Sequence, residues 1–199
     1  MQYIITEYKK IDKGRIEIVL DSHIRFWLYA KEARMLSLEE GKSISEEENQ
    51  KILHEVIGKR AIKRAMHILE RQDRTEYQLR EKLLQSAYPK EAVEEAVDYV
   101  KSYHYLDDER YARTFIRNHQ KDRSKRRLET DLIKRGVPKD TIKLCIDEEF
   151  ETDEKEQIRI WLEKKQYEKE TADLKERAKM YQFLARKGFC HSDIMSVLR

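Results

Sequence analysis

Residues 77–97 read YQLREKLLQSAYPKEAVEEAV, and residues 126–146 read RRLETDLIKRGVPKDTIKLCI. Set one above the other, 49 positions apart (77 to 126), they keep their apolar residues in register: Leu79 over Leu128, Leu83 over Leu132, Leu84 over Ile133, Val93 over Ile142 and Val97 over Ile146. The break also falls in register, Ala87-Tyr88-Pro89 over Gly136-Val137-Pro138. A third copy follows 52 positions on (132 to 184), with Leu184, Gly188, Phe189, Ile194 and Leu198 in the matching places. Apolar residues three and four apart on both sides of a shared break predict an amphipathic helix, a tight turn and a short helix. Gly136 and Gly188 suit the left-handed position that ends a helix, and Pro89 and Pro138 suit the first position of the next. A further helical stretch precedes each copy, at 59–71, 108–119 and about 154–166, so the repeating unit is a triplet of helices. Such units bury little alone and lean on their neighbours in a quasi-one-dimensional array.

The expected fold is therefore mainly α: tandem three-helix repeats in an elongated array, with a small N-terminal β-hairpin or meander. Charged residues make up 41% of the 199 and apolar residues 39%, while five Gly and two Pro leave little material for the turns of a β-rich fold. The expected divisions are 1–57 (strands and a linker helix), 58–108 (repeat 1), 109–150 (repeat 2) and 151–199 (repeat 3). The net charge of +3 is uneven, because residues 109–150 hold 12 basic and 8 acidic groups. That asymmetry points to a polyanionic partner more clearly than the whole-chain balance does. Cys145 and Cys190 form no disulfide framework or zinc spacing and are expected to be small buried residues. MQYIITEYKK at the N-terminus lacks an apolar leader and no run is long enough to span a membrane, so a soluble cytoplasmic protein is expected; a monomer is expected as well.

The first 29 residues have a different period. Ile16, Ile18 and Leu20 alternate, as do Ile24, Phe26 and Leu28, and Asp21-Ser22 reads as a two-residue turn between them, with Lys13-Gly14 an earlier one. This two- or three-stranded unit should pack on the following helix, AKEARMLSLEE. Ser45-x-x-Glu48 and Thr75-x-x-Gln78 are capping boxes, and Gly58 is expected to interrupt the helix between them. The stretch WLEKKQYEKETADLKER, 161–177, has few apolar anchors and reads as a solvated helix or connector.

The acid pair in YHYLDDERYARTFIRN, 103–118, has two readings. With Asp107 at the N-cap, Asp108 and Glu109 fall in the first turn, where negative charge suits the helix dipole. Leu106 and Tyr111 then take the positions of a hydrophobic staple. The rival reading is a carboxylate–metal nuclease, but successive helical residues point about 100° apart and form no clamp. No catalytic residue, metal or cofactor is expected, and the six histidines are scattered. Tyr99, Tyr103 and Tyr105 could stack on bases, though packing between helices is the expectation.

The densest charge is RNHQKDRSKRR, 117–127, with Arg117, Lys121, Arg123, Lys125, Arg126 and Arg127 against Asp122; Lys134 and Arg135 follow. Cations at that density commonly neutralise phosphates, so these eight are the candidate nucleic-acid contacts. Nothing indicates base readout, although a three-helix unit can imitate a helix-turn-helix.

RTEYQLREKLLQ, YLDDERYARTFI, LETDLIKRGVPKDTI and FLARKGFCHSDI, in this order, resemble the RecX family, regulators of the bacterial RecA recombinase. The resemblance covers 58–199, and Tyr105-Leu106-Asp107-Asp108 and Lys187-Gly188-Phe189 are its most specific pieces. The chain departs from the family pattern at Ala87, where Gly is frequent, and at RSKRRL, where a Gly-Pro-like step is frequent. The resemblance implies binding to the RecA–single-stranded DNA filament, with double-stranded DNA as a further ligand. It also implies suppression of ATPase and strand exchange by lodging in the filament groove. The eight cations would supply the electrostatic contact, and Tyr105, Leu106, Asp107 and Asp108 would set the helix that presents them. The alternative is a general DNA-binding helical protein with no recombinase partner.

Overall fold

The computed structural model describes residues 1–12 and 14–199, which leaves Lys13 of the expected first turn outside the described residues. The chain divides into two units, Met1–Asp107 and Asp108–Arg199.

The first unit begins with β1 (Gln2–Asp12), β2 (Arg15–Leu20) and β3 (Arg25–Tyr29), then α1 (Ala30–Met35) and β4 (Ser43–Ser45). The strands form an antiparallel sheet in the order β3-β2-β1-β4. The alternation does what it predicts: Ile16 pairs with Leu28 and Ile18 with Phe26, and all four side chains are buried. The fourth strand is a correction to the two or three expected. It is three residues long, too short to show a period, and pairs with Gln2, Tyr3 and Ile4. The Asp21-Ser22 turn is also corrected. His23 joins it in the left-handed region at φ 64°, and Leu20 N–H closes the loop on the Ile24 carbonyl at 2.9 Å.

Trp27 and Val19 are buried on the opposite face of the pleat, which alternation alone would have left to solvent. The first three-helix module covers Trp27. Its indole Nε1 donates to the Ser86 carbonyl at 3.2 Å, and the Arg60 guanidinium lies 3.8 Å above the ring while donating to the Trp27 carbonyl and to Glu32. The sheet thus shares one core with that module as well as with Ala33 of α1.

α2 (Glu46–Lys51), a π-helical segment (Ile52–Gly58) and α3 (Lys59–Arg71) follow without a break, so Gly58 does not interrupt the helix. Its φ of −60° and ψ of −50° are ordinary helical values. What glycine supplies here is space, since a Cβ would lie 2.5 Å from Glu95 Oε2, and that oxygen also meets His54 Nδ1 at 2.9 Å. At the start of α2, Ser45 Oγ accepts from Glu48 N–H at 3.1 Å and Glu48 accepts from Ser45 N–H at 2.7 Å.

α3, α4 (Glu76–Gln85) and α5 (Lys90–Ser102) make the first module. α6 (Asp108–His119), α7 (Lys125–Lys134) and α8 (Lys139–Glu149) make the second, and α9 (Glu154–Lys164), α10 (Leu174–Lys187) and α11 (His191–Leu198) the third. Residues aligned by the repeat take the same roles. Leu83, Leu132 and Leu184 are fully buried, and their carbonyls accept from the N–H groups of Tyr88, Val137 and Phe189. The residue ahead of each donor is left-handed: Ala87 at φ 58°, Gly136 at 81°, Gly188 at 96°. Ala87 therefore ends its helix as glycine ends the other two. Pro89 and Pro138 sit one position earlier than expected, at the N-caps of α5 and α8. There their extended ψ lets the carbonyls accept from Val93 and Ile142.

Two further expectations are corrected. Tyr99, Tyr103 and Tyr105 do not pack between helices; they are exposed, with Tyr99 tilted against Tyr103 at a centroid distance of 4.8 Å and Tyr103 stacked on Tyr105 at 6.3 Å. The inward face of α5 is already filled by Ala92, Val93, Ala96, Val97 and Val100. Cys145 is buried but Cys190 is exposed, because it is the N-cap of α11. Residues 161–177 are solvated as expected, with no residue of the stretch buried. They hold the end of α9, a turn with Gln166 at φ 50° and the Asp173 cap of α10, and Trp161 packs against the third module's core.

Candidate nucleic-acid interface

α6 starts at Asp108, so Asp107 stands immediately before it and Asp108 and Glu109 occupy its first turn. Leu106 is buried in the first unit's core, Tyr111 packs against the second module's core, and Tyr105 is exposed. The backbone around RSKRRL is held by Ser124, the fully buried N-cap of α7. Ser124 Oγ accepts from Arg127 N–H at 3.2 Å and donates to the Lys187 carbonyl at 3.1 Å.

The structure sorts the eight predicted cations into two groups. Arg117 makes a two-pronged pair with Glu149, which also takes Arg113. Those guanidiniums hold the Glu149 carboxyl below its ordinary range. Arg123 and Arg127 share Asp131, a carboxylate only 8% exposed, at 2.8 and 3.2 Å. Lys125 reaches Asp147 at 3.3 Å, and Arg135 donates to the Asp131 carbonyl while lying 4.5 Å from the Phe115 ring. By contrast Lys121, Arg126 and Lys134 are exposed and face no carboxylate among the described residues. The run of positive charge in the sequence is thus partly neutralised within the fold, by acids of α7 and α8 that lie up to 32 residues away along the chain. Among the eight candidates, the free charge is concentrated on Lys121, Arg126 and Lys134.

His119 stacks edge-on to Phe115 at 4.5 Å. Burial, followed by the positive charge of Arg123 and Arg135, holds its imidazole below the ordinary histidine value. Glu154 is shifted the opposite way, its carboxyl pushed up by burial although it accepts the Lys125 N–H at 2.8 Å.

Beside the cluster lies a groove of about 610 Å³ lined by Arg123, Arg127, Trp161, Phe183, Arg186 and Lys187, with Asp122 the one acid. The last four lining cations and rings come from the third module and were not among the candidate contacts read from the sequence. The signal available for them was the aromatic and basic spacing of Phe183, Arg186 and Lys187 in FLARKGF.

The fold and this surface define a class: tandem three-helix modules carrying a basic face, with a small sheet built onto the first module. Family models match each module in turn: "RecX, first three-helix domain" over residues 61–99, the second over 107–144 and the third over 152–198. Regulatory protein RecX of Clostridium botulinum (strain Eklund 17B / Type B) is 30% identical over 97% of this chain and 92% of its own length. That of Caldanaerobacter subterraneus subsp. tengcongensis is 32% identical over 94% and 93%. A crystal structure of a regulatory protein RecX superposes with a TM-score of 0.64 at 22% identity, over 98% of both chains. The chain belongs to the RecX family.

Proposed function

We propose that this protein binds the filament of RecA recombinase on single-stranded DNA and restrains its ATPase and strand exchange. The observation that carries this reading is the family match across nearly the whole chain, to relatives named as regulatory proteins. Lys121, Arg126 and Lys134 are the first contacts to phosphate, because no internal carboxylate competes for them. Arg117, Arg123, Lys125, Arg127 and Arg135 shape the surface and add to its field. The segment Tyr105–Asp108 sets the start of the helix that leads to it. In this reading the chain is a cytoplasmic monomer and a regulator, not an enzyme, acting in recombination, DNA repair and the SOS response. Module contacts too weak singly would add through avidity along a repetitive filament.

The test is recombinase ATPase on single-stranded DNA, with this protein titrated from well below equimolar. Reversing Arg123 and Arg127 would remove both charge partners of Asp131, itself only 8% exposed, and would mix a folding defect with any loss of binding. The informative variant is therefore Lys121→Glu, Arg126→Glu and Lys134→Glu together. Inhibition by the wild type that weakens in this variant is the expected outcome. An unaffected ATPase would overturn the reading. The second reading, a general DNA binder, rests on the same three free cations, which need no protein partner. It requires tight binding to naked DNA together with that unaffected ATPase.

A further inference from the structure

We infer that the groove between Arg123 and Arg127 on one side and Trp161, Phe183, Arg186 and Lys187 on the other is a base-stacking site for single-stranded nucleic acid. This rests on the nucleic-acid part of the proposed function and assigns it a place.

Two kinds of group are needed to hold a single strand without reading its sequence: cations for phosphates and aromatic faces for bases. The groove has both. Arg186 and Lys187 face no carboxylate among the described residues, while Arg123 and Arg127 share Asp131. Trp161 and Phe183 meet edge-to-face with centroids 5.5 Å apart, and each is only partly covered. The Lys187 ammonium lies 4.2 Å from the Trp161 ring centre and 5.6 Å from that of Phe183, so charge and aromatic surface are adjacent. A volume of about 610 Å³ falls within the range of small-molecule sites and admits a nucleotide.

The two walls are fixed to each other. Gly188 has no Cβ, and one placed there would lie 2.5 Å from Ser124 Oγ and 3.1 Å from Arg127 Cβ. This close approach allows Ser124 Oγ to donate to the Lys187 carbonyl, which sets Lys187 opposite Arg127. An acidic protein segment would satisfy the cations but leave the ring faces unused. Bases in a duplex are stacked on one another and have no free face to offer. Both considerations favour a single strand.

The experiment uses the full chain without recombinase. Intrinsic tryptophan fluorescence is followed as oligothymidylate of about 20 nucleotides is added, with a labelled copy reporting binding by anisotropy. Quenching is expected in the wild type and is lost in Trp161→Phe, where Trp27 alone emits. Arg186→Ala with Lys187→Ala should weaken binding about tenfold, within the range of a lost stacking or charge contact. Binding without quenching, equal quenching by a duplex or by polyglutamate, no binding at low salt, or unchanged affinity in the double variant would each overturn the inference. Quenching by a protein that leaves recombinase ATPase untouched defeats the filament reading and keeps the groove. ATPase inhibition that survives in all these variants, with no quenching, defeats the groove alone.

Discussion

Ala87 shows how much one residue reveals. It sits at φ 58°, a region that costs an L-residue about 1–2 kcal/mol and glycine almost nothing. The tertiary contacts of Leu83 and Tyr88, both buried, hold it there. Ala87→Gly should therefore stabilise the first unit by about 1 kcal/mol, somewhat offset by the greater freedom of glycine in the unfolded chain, as measured by the urea midpoint. His119 gives a pH prediction. Its neighbours are Arg123 and Arg135, with Asp122 and Asp131 as smaller opposing charges, and its folded pKa lies below the unfolded value. The unfolded chain then takes up the proton first. Stability is full above about pH 6.5 and falls as pH drops through that value toward the folded one. The urea midpoint of the wild type should fall more steeply than that of His119→Gln between about pH 7.5 and about pH 5.

At the scale of elements, the turn that ends α10 is also the contact by which the third module meets α7. Two glycines separate these roles. Gly41 and Gly188 are both left-handed, at φ 82° and 96°, but a Cβ at Gly41 would meet nothing within 4 Å. Gly41→Ala should cost about 1 kcal/mol from backbone strain alone. Gly188→Ala adds the clash with Ser124 and Arg127 and should cost more than about 2 kcal/mol. Denaturant titration of both variants checks the difference, and similar losses would mean that the module contact is loose. Helix positions of this kind were legible because the apolar period and the caps are local. The N-caps of α4 and α7, Thr75 and Ser124, even keep the spacing of the repeat, whereas α10 starts earlier relative to its turn and hides the match.

For the whole molecule, the two units each contain one tryptophan, Trp27 in the first and Trp161 in the second. The first unit has one continuous core joining sheet and helices, and the second has two smaller ones. Equilibrium unfolding should therefore depart from two-state behaviour. The Trp27 signal, read in Trp161→Phe, should have a higher denaturant midpoint than the Trp161 signal, read in Trp27→Phe after correction for that variant's own loss of stability. The exposed charges make a further prediction at this scale. On the proposed function, removing the three proposed phosphate contacts with Lys121→Glu, Arg126→Glu and Lys134→Glu should flatten the salt dependence of single-strand binding by about 2 in log–log slope.

The sequence by itself determined the triplets of helices, the turns between them, the first three strands and the resemblance to RecX, because these depend on the identity of residues a few positions apart. Only the tertiary structure decided which charges remain available. Glu149, Asp131 and Asp147 reach Arg117, Arg123 and Lys125 through folding, and no local pattern reports these pairings; only Arg127 and Asp131, four apart on α7, could be paired from the sequence. It likewise decided that Trp27 is covered by the first module and that Trp161 meets Phe183 beside a basic rim. A periodic pattern states which face of an element is apolar. What that face meets depends on how elements distant in the chain pack together, and this is settled by shape and close approach, as at Gly58 and Gly188.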